Sequence, residues 1–370
     1  MSLREKRKKP CISIFLPYYN DEKFIRFSIE SILEQTYSDF QLICFNHAST
    51  DRSEQIVKSY KDSRIIHTGI PINYGAGAGI TFWQTLPLMQ GKFVKVFCAD
   101  DMMLPNHLED LVQAFEHNSS LDFVVSPKIA YIDSNNLFLR SSHYTLDKKV
   151  INAKNPSFCL LEQFFNSISP IAWGNGLVKK EALTSLPKDN SMIYLFDMSF
   201  WVNLLISGKK VGFVDRDISL YRKSEQNILA ENKDKIMQAC FFEHLAYLRL
   251  FFHIKNVSLA KQLCTHVSDN IKNKIDESDV SLIPFLFALE YGHRSLASIY
   301  PKIPAMNLAY PIVMYEEIYS MLQNTEKRRQ LQEKVGFSIK EFRELYLSLL
   351  HRNIFKKEKS LTRFIKKLDL

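Results

Sequence analysis

Two acids stand side by side in KVFCADDMMLP, residues 95–105, where an apolar run that reads as a buried strand should end. Adjacent like charges repel, so folding alone gives no reason for Asp100 and Asp101 to meet there. Hard divalent ions such as Mg2+ and Mn2+ are held by one or two protein carboxylates, with substrate phosphate oxygens completing the shell. Successive side chains of an extended backbone point to opposite sides. One carboxylate can therefore face a ribose or sugar while its neighbour meets the metal. The plainer alternative is a pair that closes a strand and caps the next helix.

Such acids need a frame. CISIFLP (11–17), FQLICF (40–45), RIIHT (64–68), FVKVFC (93–98) and LDFVVS (121–126) are short apolar runs that read as strands. Helical patterns separate them: Ile25, Ile29, Ile32 and Leu33 keep a 3.6 period, Ser49-Thr50-Asp51 can cap a second helix, and others are expected near 76–90 and after Pro105. Strands alternating with helices make βαβ units and a mainly parallel sheet, an α/β fold whose ligands bind beyond the carboxyl ends of the strands. Asp100 and Asp101 fall at one such end, and Tyr18, Tyr19, Asn46 and His47 at others. From about residue 227 the texture turns helical throughout, punctuated by Pro301, Pro304 and Pro311. The expected organisation is a catalytic domain over 1–225 and an all-helical domain over 226–370.

The net charge of +8 belongs to the ends. Residues 1–10 carry +4 and residues 352–370 carry +5, so +8 less both leaves −1 for the body. A near-neutral body is not built to grip nucleic acid. Six scattered cysteines without a CxxC pair argue for a reducing compartment. The apolar run after the basic start is too short for a signal peptide, and no run has the ~18–20 apolar residues of a membrane span. The expected location is cytoplasmic, at most peripheral to a membrane. In the tail, Ile354, Leu361, Phe364, Ile365 and Leu368 share a stripe flanked by lysines. That pattern suits an interfacial helix on anionic lipid, or a helix packing its stripe on the domain.

The first 225 residues resemble a family 2 glycosyltransferase of the GT-A fold. The likeness is carried by ISIFLPYYND, by SILEQTYSDFQLICFNHASTD where that family runs through Asp-Asp-Gly-Ser-Thr-Asp, by NYGAGAG, by KFVKVFCADDMMLPNHL and by LFDMSFWVNLLISGKKVGFVDRDISLYR. The resemblance implies an inverting enzyme that uses a nucleotide sugar, a UDP-sugar first among them, and a divalent metal. By position, Tyr19 would stack on or flank the donor base and Pro17 would shape its pocket. Asp100 would meet the ribose or pyrophosphate, and Asp101 would bind Mg2+ or Mn2+. The attacking sugar hydroxyl must lose its proton, and Asp197, at the start of a helix read as amphipathic from Phe200, Trp201, Leu204 and Leu205, is the candidate base. Its alternative is a plain N-cap; Asp215 and Asp217 rank behind it.

Four positions depart from the family pattern. Asn46-His47 replaces two acids, the second of which normally reads the base; histidine can donate or accept there. Cys98 replaces the outer acid of the commoner Asp-Ala-Asp-Asp, and Ser224 stands where many relatives have a histidine near the metal. PIAWGNGLVKKEAL (170–183) would build the acceptor side, with Trp173 stacking on a sugar ring or buried in the core. Gly174 and Gly176 suggest close backbone approach. The expected activity is sugar transfer to a saccharide or lipid-linked saccharide in surface polysaccharide or glycolipid assembly, with a possible anionic membrane surface as partner. Its rival is a catalytically silent GT-A module that acts as a scaffold. A sugar nucleotidyltransferase would need an N-terminal Gly-rich phosphate loop, which this sequence lacks.

Overall fold

A computed structural model of the chain describes residues 9–73, 78–166, 170–188, 192–224, 246–293 and 323–338, with 239, 240, 243, 244, 320, 340 and 341 as isolated positions. The chain divides into two compact units, Met1–Lys233 and Asp234–Leu370. The stripe expected over 354–368 lies outside the described residues, as does most of NYGAGAG.

The inner apolar runs form strands buried on both faces, which suits a parallel sheet covered by helices on each side, while the run over 65–69 forms an edge strand that is only partly buried. In order come β1 (Ile12–Tyr18), α1 (Ile25–Leu33), β2 (Phe40–Asn46), α2 (Ser53–Ser59), β3 (Ile65–Gly69), α3 (Ala78–Thr85) and β4 (Phe93–Val96). There follow β5 (Met102–Met103), α4 (His107–His117), β6 (Phe123–Val125), β7 (Lys128–Ile132), β8 (Phe138–Tyr144), α5 (Lys148–Ile151) and α6 (Pro156–Asn166). The unit closes with β9 (Gly176–Lys179), α7 (Lys180–Thr184), α8 (Phe196–Ile206), β10 (Val211–Phe213) and β11 (Ser219–Arg222).

The main sheet has the order β10-β6-β9-β4-β1-β2-β3. Strand β1 pairs parallel with β2 and β4, β2 with β3, and β6 with β10, while β9 runs antiparallel to both its neighbours. The chain steps from β1 outward to β3, then returns to lay β4 on the other side of β1. That reversal is the switch point at which an open α/β sheet leaves a crevice. On one face Ile12, Ile14, Leu16, Leu42 and Cys44 pack with Ile25, Ile29, Ile32, Leu108 and Leu111. On the other, the Phe15 ring meets those of Phe45 and Phe82 edge-on at 5.8 and 5.9 Å.

A second sheet, β5-β11-β7-β8, was not expected from the sequence. Its β5 has two residues and pairs with β11 more than a hundred positions later, so no local pattern announces it. Two further expectations need correction. The strand expected over 93–98 stops at Val96, which leaves Phe97 and Cys98 to start the turn that carries the acids. Helix α8 is not amphipathic: every residue but Asp197 and Ile206 is buried. It is apolar all round because it lies between layers. Trp201 stacks on Phe123 at 5.7 Å while Phe200 meets Phe82 at 5.4 Å, and a Cβ on Gly176 would stand 2.3 Å from the Trp201 ring.

In the second unit the described residues are helical or in turns, among them helices Val257–Leu263, Asp269–Lys272, Ile283–His293 and Thr325–Gln330. Its core holds Tyr247, Phe251, Phe285 and Phe287, with Glu290 buried and accepting from the His266 and Val267 N–H groups at 2.8 and 3.2 Å. No helix among the described residues is long and apolar enough to cross a membrane.

Candidate active site

The carboxyl ends of β1 and β2 are tied together. Asn20, held in the left-handed region at φ 56°, donates its N–H to Ser49 Oγ at 3.2 Å and accepts the Thr50 N–H at 2.8 Å. Glu22 N–H reaches Asp51 at 3.0 Å, and Arg52 N–H returns to Glu22 at 3.0 Å. Thus Ser49 and Thr50 serve the β1 loop, while Asp51 accepts from Ser53 N–H at the start of α2. Pro17 is half-buried at the end of β1, and Tyr19 beside it is 46% exposed. Asn46 is buried, with Oδ1 accepting the Ser49 N–H at 2.9 Å. His47 is buried too, its Nε2 2.9 Å from Thr81 Oγ1 on α3 and its ring against Phe45. Burial lowers the His47 pKa, so the ring is neutral.

Past β4 the chain turns, with Asp101 N–H donating to Cys98 O at 3.3 Å. Helix α1 grips this turn through a polar stripe. Ser28 Oγ donates to Ala99 O at 2.7 Å and to Asp101 O, Ser31 Oγ accepts the Met103 N–H at 3.1 Å, and Gln35 Nε2 donates to Leu104 O at 2.7 Å. Ser28 and Ser31, three residues apart, share one face of α1, and Gln35 follows just past its end. From the other side, Arg222 N–H donates to Asp101 Oδ1 at 2.8 Å, and the guanidinium donates to Asp100 O at 2.6 Å and Asp133 O at 2.8 Å over the Phe24 ring. Each group left unpaired here would cost about 1–3 kcal/mol.

The ligand atoms of Cys98, Asp100 and Asp101 lie within 4.8 Å of one another. Burial raises the Asp100 carboxyl, and burial and then Asp100 raise Asp101 well above the usual range. Burial and then Asp101, Asp100, Asp197 and Asp21 raise the Cys98 thiol, so four acids share its surroundings. Two carboxylates and a thiol crowded in low dielectric make a donor set that a divalent cation would relieve.

Asp197 stands in the first turn of α8, half-buried, with Oδ1 accepting the Met198 N–H at 2.8 Å. Of its alternatives, Asp215 is paired with Lys128 at 3.1 Å. Trp173 is half-buried on a short turn, its ring 5.2 Å from that of Phe196 and its buried Nε1 without a hydrogen bond. Lys95, fully buried, fixes that turn by donating to Gly174 O at 2.5 Å and Gly176 O at 3.1 Å.

Sequence reasoning missed several contributors. Asp21 accepts the Tyr19 N–H at 3.0 Å, and burial, with Asp100 and Asp51 adding to it, pushes its carboxyl up to about 7. Burial and then the charges of Asp101, Cys98 and Asp100 raise the Tyr221 phenol, so that ring borders the cluster, edge-on to Tyr131 at 5.9 Å. The helical spacing of Ser28 and Ser31 was a usable signal; nothing in the sequence marks Arg222. A cavity of about 740 Å³ lies elsewhere, at the amino ends of β1 and β4, lined by Lys9, Tyr37, Asp39, Gln90, Lys92 and Lys180 among others.

A switch-point crevice bordered by acids, above a mainly parallel sheet and beside a small second one, defines a nucleotide-sugar transferase fold of the GT-A type. Residues 13–185 match the profile of Glycosyl transferase family 2. The chain is 28% identical to an uncharacterized glycosyltransferase of Methanocaldococcus jannaschii, over 70% of this chain and 83% of that one. It is 25% identical to the minor teichoic acid biosynthesis protein GgaA of Bacillus subtilis, over 64% of this chain and 51%, about half, of that one. S. aureus TarS 1–349, solved in complex with UDP-GlcNAc, has the same fold, with a TM-score of 0.53 at 15% identity over 92% of this chain and 90% of that one.

Proposed function

We propose that the N-terminal unit transfers a sugar from a nucleotide-sugar donor, a UDP-sugar first among them, to a hydroxyl of a saccharide or lipid-linked saccharide. The transfer inverts the anomeric carbon and serves the building of a surface polysaccharide or glycolipid. One observation carries this reading: Asp100 and Asp101 are clustered with Cys98 at the end of β4, across from the tied loops of β1 and β2. By their chemistry these residues fit Mg2+ or Mn2+, which when bound neutralises the charge of the departing diphosphate. Arg222 N–H fixes Asp101 for that role, and Asp100 faces the ribose or pyrophosphate. Pro17 and Tyr19 flank the donor base, with Asn46 and His47 shaping the floor beneath it. Asp197 takes the proton of the attacking hydroxyl, and Trp173 lines the acceptor side. The name of the Bacillus relative and the UDP-GlcNAc in the TarS complex support a sugar donor and a cell-surface polymer. A catalytic domain ending near residue 225, a cytoplasmic location and contact of the basic tail with anionic membrane belong to the same reading.

One observation favours a silent scaffold instead: Asn46 and His47 engage Ser49 and Thr81 through their side chains. The test is titration of UDP and GDP with and without Mn2+, followed by hydrolysis or transfer of the bound UDP-sugar. Mn2+-dependent UDP binding with turnover supports the enzyme. Binding with no turnover of any UDP-sugar supports the scaffold, and no nucleotide binding overturns both.

A further inference from the structure

We propose that Cys98 is a third ligand to the ion held by Asp100 and Asp101, and that it tilts this site towards thiophilic ions such as Zn2+ and Cd2+ over Mg2+. The inference rests on the metal-assisted reading above and specifies which ions the cleft selects. Its first ground is reach. Metal–sulfur and metal–oxygen bonds are about 2.3 and 2.0–2.2 Å long, so two ligands of one ion stand at most ~4.5 Å apart. Cys98 Sγ and the two carboxylates lie within 4.8 Å of one another, a span that a small side-chain rotation closes.

The second ground is how the thiol comes to be there. Cys98 lies past the end of β4, and the turn closed by Asp101 N–H on Cys98 O brings residues 98 and 101 to one side. Ser28 and Arg222 pin that turn through the Ala99, Asp100 and Asp101 carbonyls. The main chain, rather than a chosen rotamer, therefore presents the sulfur to the acids. Among the described residues no hydrogen bond is found to Cys98 Sγ or to Asp101 Oδ2, whereas Asp101 Oδ1 is held by Arg222. Carboxylates alone suit Mg2+ and Mn2+, but a thiolate is a soft ligand. On binding, the thiol proton leaves to the buffer.

The experiment titrates the full chain, in the presence of UDP, with Cd2+ and then with competing Mg2+ and Mn2+. It reads the ultraviolet thiolate-to-cadmium charge-transfer band alongside metal retention. Cys98→Ser should lose the band with its melting curve unchanged. The other five cysteines remain in that variant, so a band that survives unchanged in it overturns the inference. Cys98→Asp should shift the Cd2+/Mg2+ affinity ratio towards Mg2+ by roughly 10-fold or more, at least what a supporting contact is worth to a metal site. An unmoved ratio also overturns it. If Mg2+ and Mn2+ bind, depend on Asp101 and ignore Cys98, only this inference falls. If no divalent ion binds the parent chain, the metal-assisted reading falls with it.

Discussion

The end of β2 and the end of β4 open on the same crevice, yet they use their polar side chains in opposite ways. At β2, Asn46 is turned to the Ser49 N–H and His47 to Thr81, so the loop spends these groups on its own shape. At β4, the shape is supplied from outside, by Ser28, Ser31, Gln35 and the Arg222 backbone, and two carboxylates and a thiol are left to face one another. A loop that stabilises itself has few groups left for a ligand. A loop held by its neighbours can present groups that repel each other.

The contrast is sharpest at Asp101. Asp101→Ala should abolish Mn2+-dependent UDP binding by calorimetry and lower transfer by about 10³-fold. Lost charge neutralisation is worth several kcal/mol, and each 1.36 kcal/mol is tenfold. Unchanged Mn2+-dependent affinity would break the contrast from the β4 side. Asp197→Asn keeps the shape and an oxygen to accept the Met198 N–H, so donor binding and melting temperature should hold while single-turnover transfer falls roughly 10²–10⁴-fold. Full activity in that variant would leave Asp197 a first-turn acid of α8, whose N-cap is Leu195.

Asp21 supplies a pH signature. Its folded pKa is raised from 3.8 to about 7, so between those values folding takes up a proton and stability falls as pH rises. Above pH 7 the full penalty, at most about 4 kcal/mol, is present. In metal-free buffer the parent should melt lower at pH 8 than at pH 5, and Asp21→Asn should flatten part of that slope. Equal slopes in the two proteins would mean that this carboxyl is not held in low dielectric.

At β2 the effects should be on stability. His47→Ala should cost about 1–3 kcal/mol, the penalty for leaving a buried partner unpaired, with little change in UDP-over-GDP preference. A changed preference with intact stability would put His47 at the base after all. The smallest effect is at Ala48, which sits at φ 61° where the family pattern has glycine. Ala48→Gly removes a left-handed penalty of about 1–2 kcal/mol and adds back part of it as chain entropy. A net gain of roughly 0.5–1 kcal/mol in denaturant melts is expected.

The apolar runs of β1, β2 and β4 were legible because burial on both faces is written in consecutive residues, while β3, at the sheet edge and only partly buried, was legible as a short β-branched run. The two-residue β5 was not, since Met102-Met103 becomes a strand only by meeting β11. The acids were legible as an improbable pair. Their supports were not, because Arg222 reaches Asp101 through a backbone N–H, which any residue type possesses. Helix α8 misled for a related reason: burial on every side erases the polar stripe that gives a helix its orientation in sequence. Cys98 is visible as the residue in place of the outer acid, but a cysteine at the end of an apolar run looks the same whether it packs or ligates.

That backbone bond has a bearing on drift. Substitutions at position 222 would strip the guanidinium from the Asp100 and Asp133 carbonyls and from the Phe24 ring, loosening the scaffold. They would leave the bond to Asp101 chemically available, because it belongs to the peptide unit and not to the side chain. Variation there is therefore filtered first through folding and only afterwards through chemistry. A lineage could wander at position 222 wherever spare stability permits, with the carboxylate still held in place by an atom that, proline apart, mutation does not reach.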